Sequence, residues 1–318
     1  MTHGNARSDD AVFLALFESV GASGTAKRIG CTLREVYKRR ARMEIRLGRQ
    51  IKSPDTTERA TRHAFDHPRW VEKSIKDGVV LVGSDAHYWP GITSTAHRAF
   101  VHFIKRLKPK VIVMNGDALD GASISRHASI GWESRPALID ELEACQARLG
   151  DIEAVRANAE LLWPLGNHDA RLETRLATVA PEFAKVKGVH LKDHFPYWQP
   201  CWSVKINSDT VIKHRFKGGI HAPTNNTLWS GKTMITGHLH QLKVSPISDY
   251  DGRRYGVDCG TLADPYGPQF ENYTETNPLN WASGFCVLTF RDGELLPPEL
   301  VTVLRNGVVT FRGEVIEI

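Results

Sequence analysis

Five short polar clusters in the middle of the chain carry side chains that can bind metal ions. In chain order they are Asp85-Ala86-His87, Asn115-Gly116-Asp117, Gly166-Asn167-His168-Asp169, His214 and Gly237-His238-Leu239-His240. Imidazole and carboxylate ligands suit borderline first-row divalent ions, and a neutral amide leaves one metal position less electron-rich. Two such ions about 3.5 to 4 Å apart lower the pKa of a shared water. The clusters therefore predict a metal site that activates water.

An apolar run precedes each cluster, and these runs decide where the clusters lie. The runs are Val79–Val82, Val111–Met114, Leu161–Leu165, Val211–Ile212 and Met234–Thr236. Short apolar runs that alternate with helical stretches are typical of layered α/β folds, whose ligand sites lie beyond the carboxyl ends of the strands. A lone Asp-x-His is usually a capped turn, but five clusters in this order predict one common pocket.

The fourth cluster is a single histidine, and two residues compete for that position. His214 follows an apolar pair at a predicted strand end, whereas His221 lies in a loop of Gly, Pro and Asn. The strand end favours His214, and either choice leaves the reaction class unchanged.

The ordered set Asp-x-His, Gly-Asp, Gly-Asn-His-Asp, His and Gly-His-x-His resembles the calcineurin-like metallophosphoesterase family over residues 78 to about 265. Rival hydrolases with dinuclear sites open with His-x-His, which comes last here. The resemblance implies an α/β fold, a four-layer αββα sandwich of two mixed sheets. It also implies a ligand set: Asp85, His87 and His240 on one metal, Asn167, His214 and His238 on the other, and Asp117 as the bridge.

The same resemblance implies a reaction, the hydrolysis of a phosphate ester by a metal-bound hydroxide. His168 would act as the general acid on the leaving oxygen, and Asp120 would orient it. The cofactors would be two divalent ions, Mn in vitro, with Fe, Zn or Ni possible because the ligand set accepts all four. Phosphoprotein phosphatases have Arg-Gly where this chain has Gly121-Ala122, and Glu where it has Asp169. These departures argue against a phosphoprotein substrate.

Other side chains near the clusters suit substrate contacts. Arg126, His127 and Arg171 could hold phosphate oxygens, although a surface salt bridge is the plainer interpretation. Tyr88, Trp89 and Trp229 could stack on nucleobases, or could simply be buried at the bases of loops. Beyond the last cluster, residues 284–318 alternate and are rich in Val, which predicts closing strands with a turn at Asp292-Gly293.

The first 52 residues differ from the rest of the chain in charge. They hold eleven Lys or Arg and five acids, a net of +6 within a chain of net charge +5. Residues 1–52 are therefore expected to form a basic domain, residues 53–77 a linker, and residues 78–318 the catalytic domain. Any polyanion binding belongs to the basic domain.

The basic domain resembles a helix-turn-helix. Gly21 is predicted to end a first helix, Gly30 to form a turn, and Thr32 with Glu35 to cap a further helix. Ala26, Gly30 and Val36 match the small residue, glycine and β-branched residue that helix-turn-helix proteins keep at this spacing. The basic helix would then lie in the major groove of DNA. Its expected DNA contacts are Arg34, Lys38, Arg39, Arg42 and Arg46; a helical cap with a solvated basic face is the alternative.

Composition bounds the remaining possibilities. The chain is 41% apolar and 24% charged, its first ten residues lack a secretory pattern, and it has no long apolar run, so we expect a soluble cytoplasmic protein without a membrane partner. Five scattered cysteines predict reduced thiols.

Three functions fit these observations. The first is a nuclease or nucleic-acid phosphodiesterase, with DNA as partner; a helix-turn-helix joined to such an enzyme also resembles proteins of phages and mobile elements. The second is a phosphodiesterase or phosphatase on a nucleotide or other small phosphate ester, with the basic domain serving oligomerisation. The third is a catalytically silent DNA-binding protein. The sequence leaves the oligomeric state and the native metal open.

Overall fold

The computed structural model describes residues 9–54, 67–128, 131–274 and 277–318, and the chain divides after Asp66 into two compact units. Part of the expected linker, residues 55–66, lies outside the described residues, as do the first eight residues. Residues 67–77 differ from the prediction, because Val71–Lys73 pairs as a strand with Val204–Ile206 and so belongs to the second unit. Among the described helices, none is long and apolar enough to cross a membrane.

Within its described residues, the first unit contains two long helices joined by a tight turn, and the first of them is interrupted by the non-helical backbone of Gly21. Helix α1 (Asp10–Ile29) is kinked at Gly21, and helix α2 is Leu33–Leu47. Gly30 ends α1 in the left-handed conformation, where a glycine is tolerated without steric cost. Thr32 and Glu35 form the predicted capping box at the start of α2.

A small apolar core holds the first unit together. Its buried members are Phe13, Phe17, Ala26, Val36, Met43 and Ile51. Because Ala26 is small and Val36 is fully buried, the two helices can approach closely beside the Gly30 turn. Ala26 and Val36, two of the three residues at the helix-turn-helix spacing, are thus both members of this core.

The second unit contains fifteen strands in two sheets within its described residues. In chain order they are β1 (Val71–Lys73), β2 (Gly78–Gly83), β3 (Val111–Met114), β4 (Glu160–Pro164), β5 (Gln199–Cys201), β6 (Val204–Ile206), β7 (Thr210–Ile212), β8 (Thr233–Thr236), β9 (Lys243–Asp249), β10 (Gly252–Asp258), β11 (Gly284–Arg291), β12 (Glu294–Leu295), β13 (Glu299–Arg305), β14 (Val308–Phe311) and β15 (Glu314–Glu317).

The helices of this unit that we number are α3 (Thr95–Leu107), α4 (Leu138–Val155), α5 (Ala170–Val179), α6 (Leu191–His194), α7 (Ala222–Ser230) and α8 (Glu271–Thr274). Two 3₁₀ turns, Ala122–Ile124 and Pro181–Lys185, accompany them.

Both sheets are mixed. The larger has the order β15-β14-β13-β11-β2-β3-β4-β5, with β12 paired to β11, and the smaller has the order β1-β6-β7-β8-β10-β9. Strands β2 to β5 run parallel, and the closing strands β11 to β15 add to the larger sheet in antiparallel pairs, with the predicted turn between β11 and β12.

The sheets pack face to face, and helices cover their outer faces. Val80 and Val82 of β2 point into a core shared with Ile212 and Ile235 of the smaller sheet. Leu81, between them in sequence, points to the other face and packs with α3 and α4, as the two-residue period of a strand requires. Helix α7 packs on β8 and β10. The unit is therefore a four-layer αββα sandwich, as the sequence predicted.

Candidate metal centre and cleft

All five polar clusters lie at the carboxyl ends of their strands. Asp85 follows β2, Asp117 follows β3 and Asn167 follows β4, all in the larger sheet. His214 follows β7 and His238 follows β8, both in the smaller sheet. The two sheets thus present their loops to one region, and each contributes side chains to it.

One group of potential ligands consists of Asp85, His87 and His240, whose ligand atoms all lie within 4.8 Å of one another. All three residues are buried. The Asp85 carboxylate lies 3.0 Å from His240 Nε2 and accepts a hydrogen bond from the backbone N–H of His238 at 2.8 Å. Asp85 therefore ties the loop after β2 to the loop after β8.

A second group consists of Asp117, His214 and His238, with the same spread of ligand atoms. His214 Nε2 lies 3.0 Å from Asp117 Oδ2 and 3.9 Å from Asp85 Oδ1. Because His214 contacts the carboxylates of both groups, the two groups adjoin. Asp117 and His214 are buried, whereas His238 is exposed, so this second group is the one open to solvent.

Hydrogen bonds fix which ring nitrogens face the centre. His87 Nδ1 donates to Asp120 Oδ1 at 2.8 Å, and His214 Nδ1 donates to the carbonyl of Asn115 at 2.8 Å. The Nε2 atom of each ring is thereby left to act as a ligand, an arrangement usual for metal-binding histidines.

The residues present fit divalent ions. His87 Nε2 and Asn167 Oδ1 are buried and have no hydrogen-bond partner within the described residues. Buried polar atoms without a partner are costly, so each calls for a ligand that the protein alone does not supply. Together with the two carboxylates, this donor set suits a borderline first-row metal.

Electrostatics at the centre also favour cations. Burial opposes protonation of His214, but the Asp117 and Asp85 carboxylates prevail and raise its pKa to about 10. Burial likewise opposes ionisation of Asp117, yet the neighbouring histidines hold its pKa well below the usual range. A metal ion would take the place of the proton between these carboxylates, so its binding should release protons.

Left-handed backbone conformations are concentrated at the centre: five of the eleven non-glycine residues with positive φ among the described residues are potential ligands. Asp85, His87, Asp117, His238 and His240 all have positive φ, between 39° and 73°. Residues with a Cβ rarely adopt this left-handed region, at a cost of about 1–3 kcal/mol each, and such strain gathers at functional sites. Backbone bonds hold two of these residues in place: Asp85 N–H donates to Gly116 O, and His87 N–H donates to Asp117 O.

Two glycines allow the loops to approach this closely. A Cβ at Gly237 would overlap the hydroxyl of Ser84 and the carboxylate of Asp85, and a Cβ at Gly166 would overlap Asp117. The glycine before His238 and the glycine before Asn167 are therefore steric requirements of the centre.

His168 belongs to neither of these two groups, although its ring nitrogen, with His87 and Asp120, forms a third cluster of potential ligand atoms within 4.8 Å of one another. Its Nδ1 lies 2.9 Å from Asp120 Oδ1, and its Nε2 lies 4.0 Å from Asp117 Oδ2. Burial lowers the pKa of His168, but Asp117 and the bond to Asp120 outweigh it and raise the pKa above the ordinary value. Asp120 thus contacts both His87 and His168, as the sequence predicted for His168 alone.

Asp169 has a structural role that the sequence did not reveal. Its buried carboxylate accepts hydrogen bonds from the backbone N–H groups of Asp117, Ala118, Leu119 and Gly166 and from the indole of Trp163. One carboxylate therefore fixes the loop that carries Asp117 and the turn that carries Asn167.

A cleft of about 490 Å³, here called the first cleft, opens beside the centre. His168, His238 and His240 line it, together with Phe270 and Trp281. The two aromatic residues were missed from the sequence, because they belong to the stretch between β10 and β11, where no periodic pattern points to them.

The predicted substrate contacts are placed differently from one another. Arg171 lines the first cleft, but its guanidinium donates to the carbonyl of Asp120 at 2.9 Å and lies 3.2 Å from His168 Nε2. His127 lines the first cleft, whereas Arg126 lines a neighbouring one. The structure thus gives Arg171 a part in positioning His168.

The remaining candidates separate clearly. Trp89 lines the first cleft, whereas Tyr88 is buried and bonded through its hydroxyl to His97 Nδ1 at 3.0 Å. Trp229 is exposed and lies under the ammonium of Lys217, away from the lining. His221 is exposed at the start of α7, so the geometry favours His214 for the fourth cluster.

Comparison with known proteins gives distant likenesses only. No protein-family model and no curated protein matches the chain. Among solved structures, it is similar to a zinc complex of Vps29 from Entamoeba histolytica, with 16% identity over 75% of this chain and 98% of that one and a TM-score of 0.40.

Two enzymes are similar at the same level. An archaeal phosphodiesterase is 14% identical over 71% of this chain and 99% of its own, with a TM-score of 0.38. A dimetal phosphatase from Danio rerio is 10% identical over 77% and 99%, with a TM-score of 0.38. Likenesses this distant assign no activity, and the function proposed below rests on this chain's own side chains.

Proposed function

We propose that the protein is a metal-dependent phosphoesterase that hydrolyses phosphodiester bonds in nucleic acid, with DNA as the first candidate substrate. The observation that carries the proposal is the pair of adjoining ligand groups, Asp85-His87-His240 and Asp117-His214-His238, beside a histidine that belongs to neither. Two bound divalent ions would activate water and offset the charge that develops on a phosphoryl group.

The protein's own residues would bind the ions and hold the reacting atoms in place. Asp85 and Asp117 lie where the two ligand groups adjoin, and their carboxylates would serve as ligands to the ions. Asn167 would be a further ligand, since its buried amide oxygen has no hydrogen-bond partner among the described residues. The left-handed backbone at five ligands keeps this arrangement preorganised.

His168 is suited to deliver a proton to the leaving oxygen. Its Nδ1 is held by Asp120, its Nε2 lies 4.0 Å from Asp117 Oδ2 and 3.2 Å from Arg171 Nη2, and its raised pKa favours the protonated form. Donation by a positioned acid of this kind typically contributes about 10²–10⁴-fold to the rate.

The first unit supports nucleic acid as the substrate. Arg34, Lys38 and Arg42 recur every fourth residue along the exposed face of α2, so they form one basic stripe. Arg39 and Arg46 instead bond Asp10, at 2.7 and 2.6 Å, and this leaves them less suited to contact DNA than the sequence suggested. We infer that the stripe contacts the phosphate backbone of DNA.

A small phosphate ester is the second candidate substrate. The first cleft, at about 490 Å³, is of a size that binds small molecules. Phe270 and Trp281 pack edge to face, with ring centroids 5.1 Å apart, and could receive one base. Under this alternative the basic stripe would serve another purpose, such as oligomerisation.

The test is Mn²⁺-dependent hydrolysis of bis-p-nitrophenyl phosphate, labelled single- and double-stranded DNA, and RNA. We expect His168→Ala to lower kcat by about 10²–10⁴-fold while the Mn²⁺ content of the protein stays unchanged, because the groups Asp85-His87-His240 and Asp117-His214-His238 both stay intact; a loss of Mn²⁺ would instead make His168 a ligand, through its cluster with His87 and Asp120. His102→Ala is the control, since His102 is an exposed histidine on α3 that does not line the cleft.

Three outcomes would contradict parts of the proposal. Full activity of His168→Ala would show that His168 is not the general acid. Hydrolysis of the small diester with every nucleic acid intact would favour the second candidate. Absence of hydrolysis with Mn²⁺, Fe²⁺, Zn²⁺ and Ni²⁺ alike would leave a metal-binding protein without this activity.

A further inference from the structure

A second cleft, of about 620 Å³, adjoins the first in the same unit. Asn167, Arg171, His127 and His238 line both clefts, so the second begins at the solvent-open group of the metal centre. This cleft could not be predicted from the sequence, because its walls come from separate segments of the chain.

The second cleft is strongly basic. Four arginines line it, and no Asp or Glu does so among the described residues. Those four are Arg126, Arg171, Arg175 and Arg215. A cleft lined by charges of one sign focuses its field on ligands of the opposite sign.

Three of these arginines are free to bind a ligand. Arg126, Arg175 and Arg215 are exposed, and the structure shows no ion pair for any of them within its described residues. Some exposed arginines of the unit are neutralised within the protein: Arg106 pairs with Glu314 at 2.9 Å, and Arg312 pairs with Glu299. Three unpaired arginines on one concave surface repel one another, which a bound anion would relieve.

Helix α5 gives the second cleft a direction. Arg171, Thr174, Arg175 and Thr178 all line it, and their spacing of three and four residues places them on one face of the helix. At 1.5 Å per residue, this face runs about 10 Å away from the metal centre, farther than one phosphate group reaches. Arg215, directly after His214, lines the cleft from a different loop.

We propose that the second cleft binds the phosphates that flank the scissile one in a nucleic acid strand, with Arg175 and Arg215 as the principal contacts. The inference rests on the proposed phosphoesterase function and names its substrate class. A strand suits the geometry better than a mononucleotide, because the basic face continues past the metal centre and is open along its length.

The experiment compares thymidine oligomers that differ only in their number of phosphates. The dinucleotide d(T)2 has one diester and no flanking phosphate, whereas d(T)5 has several. With Mn²⁺ at low salt, the wild type should cleave d(T)5 with a kcat/KM per bond at least about tenfold higher than d(T)2. The variant Arg175→Gln with Arg215→Gln should lose most of this preference. The preference of this variant for d(T)5 should also depend less on salt concentration. In a plot of log kcat/KM for d(T)5 against log salt concentration, the slope should be shallower by roughly 0.7 for each lost phosphate contact.

Two further variants separate charge from structure. Arg175→Lys with Arg215→Lys keeps both charges and should retain most of the preference. Arg291→Gln with Arg305→Gln removes the same charge from two exposed arginines that line neither cleft, and should leave the preference unchanged.

The outcomes are distinguishable. Equal cleavage of d(T)2 and d(T)5 by the wild type, or an unchanged preference in the double Gln variant, would overturn the inference. Hydrolysis of bis-p-nitrophenyl phosphate with both oligomers intact would overturn it too, while the phosphoesterase function stands. If no substrate at all is hydrolysed, it is the proposed function that fails.

Discussion

At the scale of single residues, the candidate metal centre depends as much on backbone as on side chains. Five proposed ligands occupy left-handed conformations, and Gly166 and Gly237 lie where a Cβ would overlap a ligand carboxylate. The ligands therefore cannot be brought together by rotamer changes alone, and residues that bind no metal should control the affinity for it.

We predict that Gly237→Ala weakens Mn²⁺ binding by about 10- to 100-fold, the usual effect of disturbing groups that support metal ligands. The added methyl would displace the Asp85 carboxylate or the His238 loop. Titration calorimetry with Mn²⁺ measures the effect. The control is Gly150→Ala in α4, where a Cβ meets nothing within 4 Å and the affinity should not change; equal affinities for both variants would contradict the prediction.

Glu141 gives a pH-dependent prediction. Its buried carboxylate accepts hydrogen bonds from Gly121 and Ala122, yet burial and then the charge of Asp120 raise its pKa from 4.5 to about 7. Between these pH values the folded protein binds more protons than the unfolded chain, so Glu141 makes the free energy of unfolding fall as pH rises.

Replacement of Glu141 by Gln removes this pH-dependent decrease in the free energy of unfolding. In EDTA, we expect the free energy of unfolding of Glu141→Gln, measured relative to wild type by urea titration, to rise by roughly 1–3 kcal/mol between pH 4.5 and 7.5. Glu143→Gln, an exposed position on the same helix, is the control. Curves of Glu141→Gln and wild type that stay parallel would show that Glu141 titrates normally.

The sequence identifies a functional residue only where the residue's type and its position in the chain indicate the role. Asp85, His87 and His240 were predicted because their types suit metals and because each follows an apolar run. The structural role of Asp169 could not be predicted, because the sequence does not distinguish an aspartate that accepts five N–H hydrogen bonds from one that is exposed to solvent. Phe270 and Trp281 were missed because only the fold carries their stretch back over the centre.

At the scale of elements, prediction succeeded wherever hydrophobic period and end signals agreed. Strands β2, β3 and β8 coincide with apolar runs, and α2 begins at its capping box. The short strand β1 lies in the segment predicted to be a linker, because three residues near Pro68 are too few to show the two-residue hydrophobic period of a strand. Its pairing with β6 depends on residues more than a hundred positions away.

The capping box of α2 can be tested directly. We predict that Thr32→Ala destabilises the start of α2 by about 1 kcal/mol, because the Thr32 hydroxyl accepts a hydrogen bond from the Glu35 N–H. Hydrogen exchange of amides in residues 33–47 should then be about fivefold faster. Thr32→Ser retains the hydroxyl and should exchange like wild type. If the amides of α2 exchange at the same rate in Thr32→Ala as in wild type, the stability of α2 depends on its packing alone.

At the scale of the whole molecule, the chain joins a small basic unit to a larger unit that carries the candidate centre. From charge and motif order, the sequence predicts a basic domain over residues 1–52 and a catalytic domain over residues 78–318; the compact units of the structure divide after Asp66. The partners of the two units are proposals, and they can be separated by variants that alter one unit at a time.

We predict that Arg34→Gln, Lys38→Gln and Arg42→Gln together lower the affinity for double-stranded DNA by at least about tenfold at low salt, because three phosphate contacts are lost. Fluorescence anisotropy with a labelled duplex measures this. The control neutralises Arg106, Lys232 and Arg312, three cations of the second unit that line neither cleft. If both triple variants lose affinity equally, net charge rather than the stripe on α2 governs binding.

Each ligand group draws residues from both sheets: Asp85 and His87 with His240 in one, Asp117 with His214 and His238 in the other. A bound ion would therefore act as a cross-link between the two sheets, in addition to their apolar interface and to the hydrogen bonds of Asp85 and His214 that already join their loops. Sheet packing and metal affinity then become thermodynamically linked. Loosening that interface, for instance at Ile235, would weaken the metal's hold without altering a ligand, and saturation with metal would in turn mask damage to the interface.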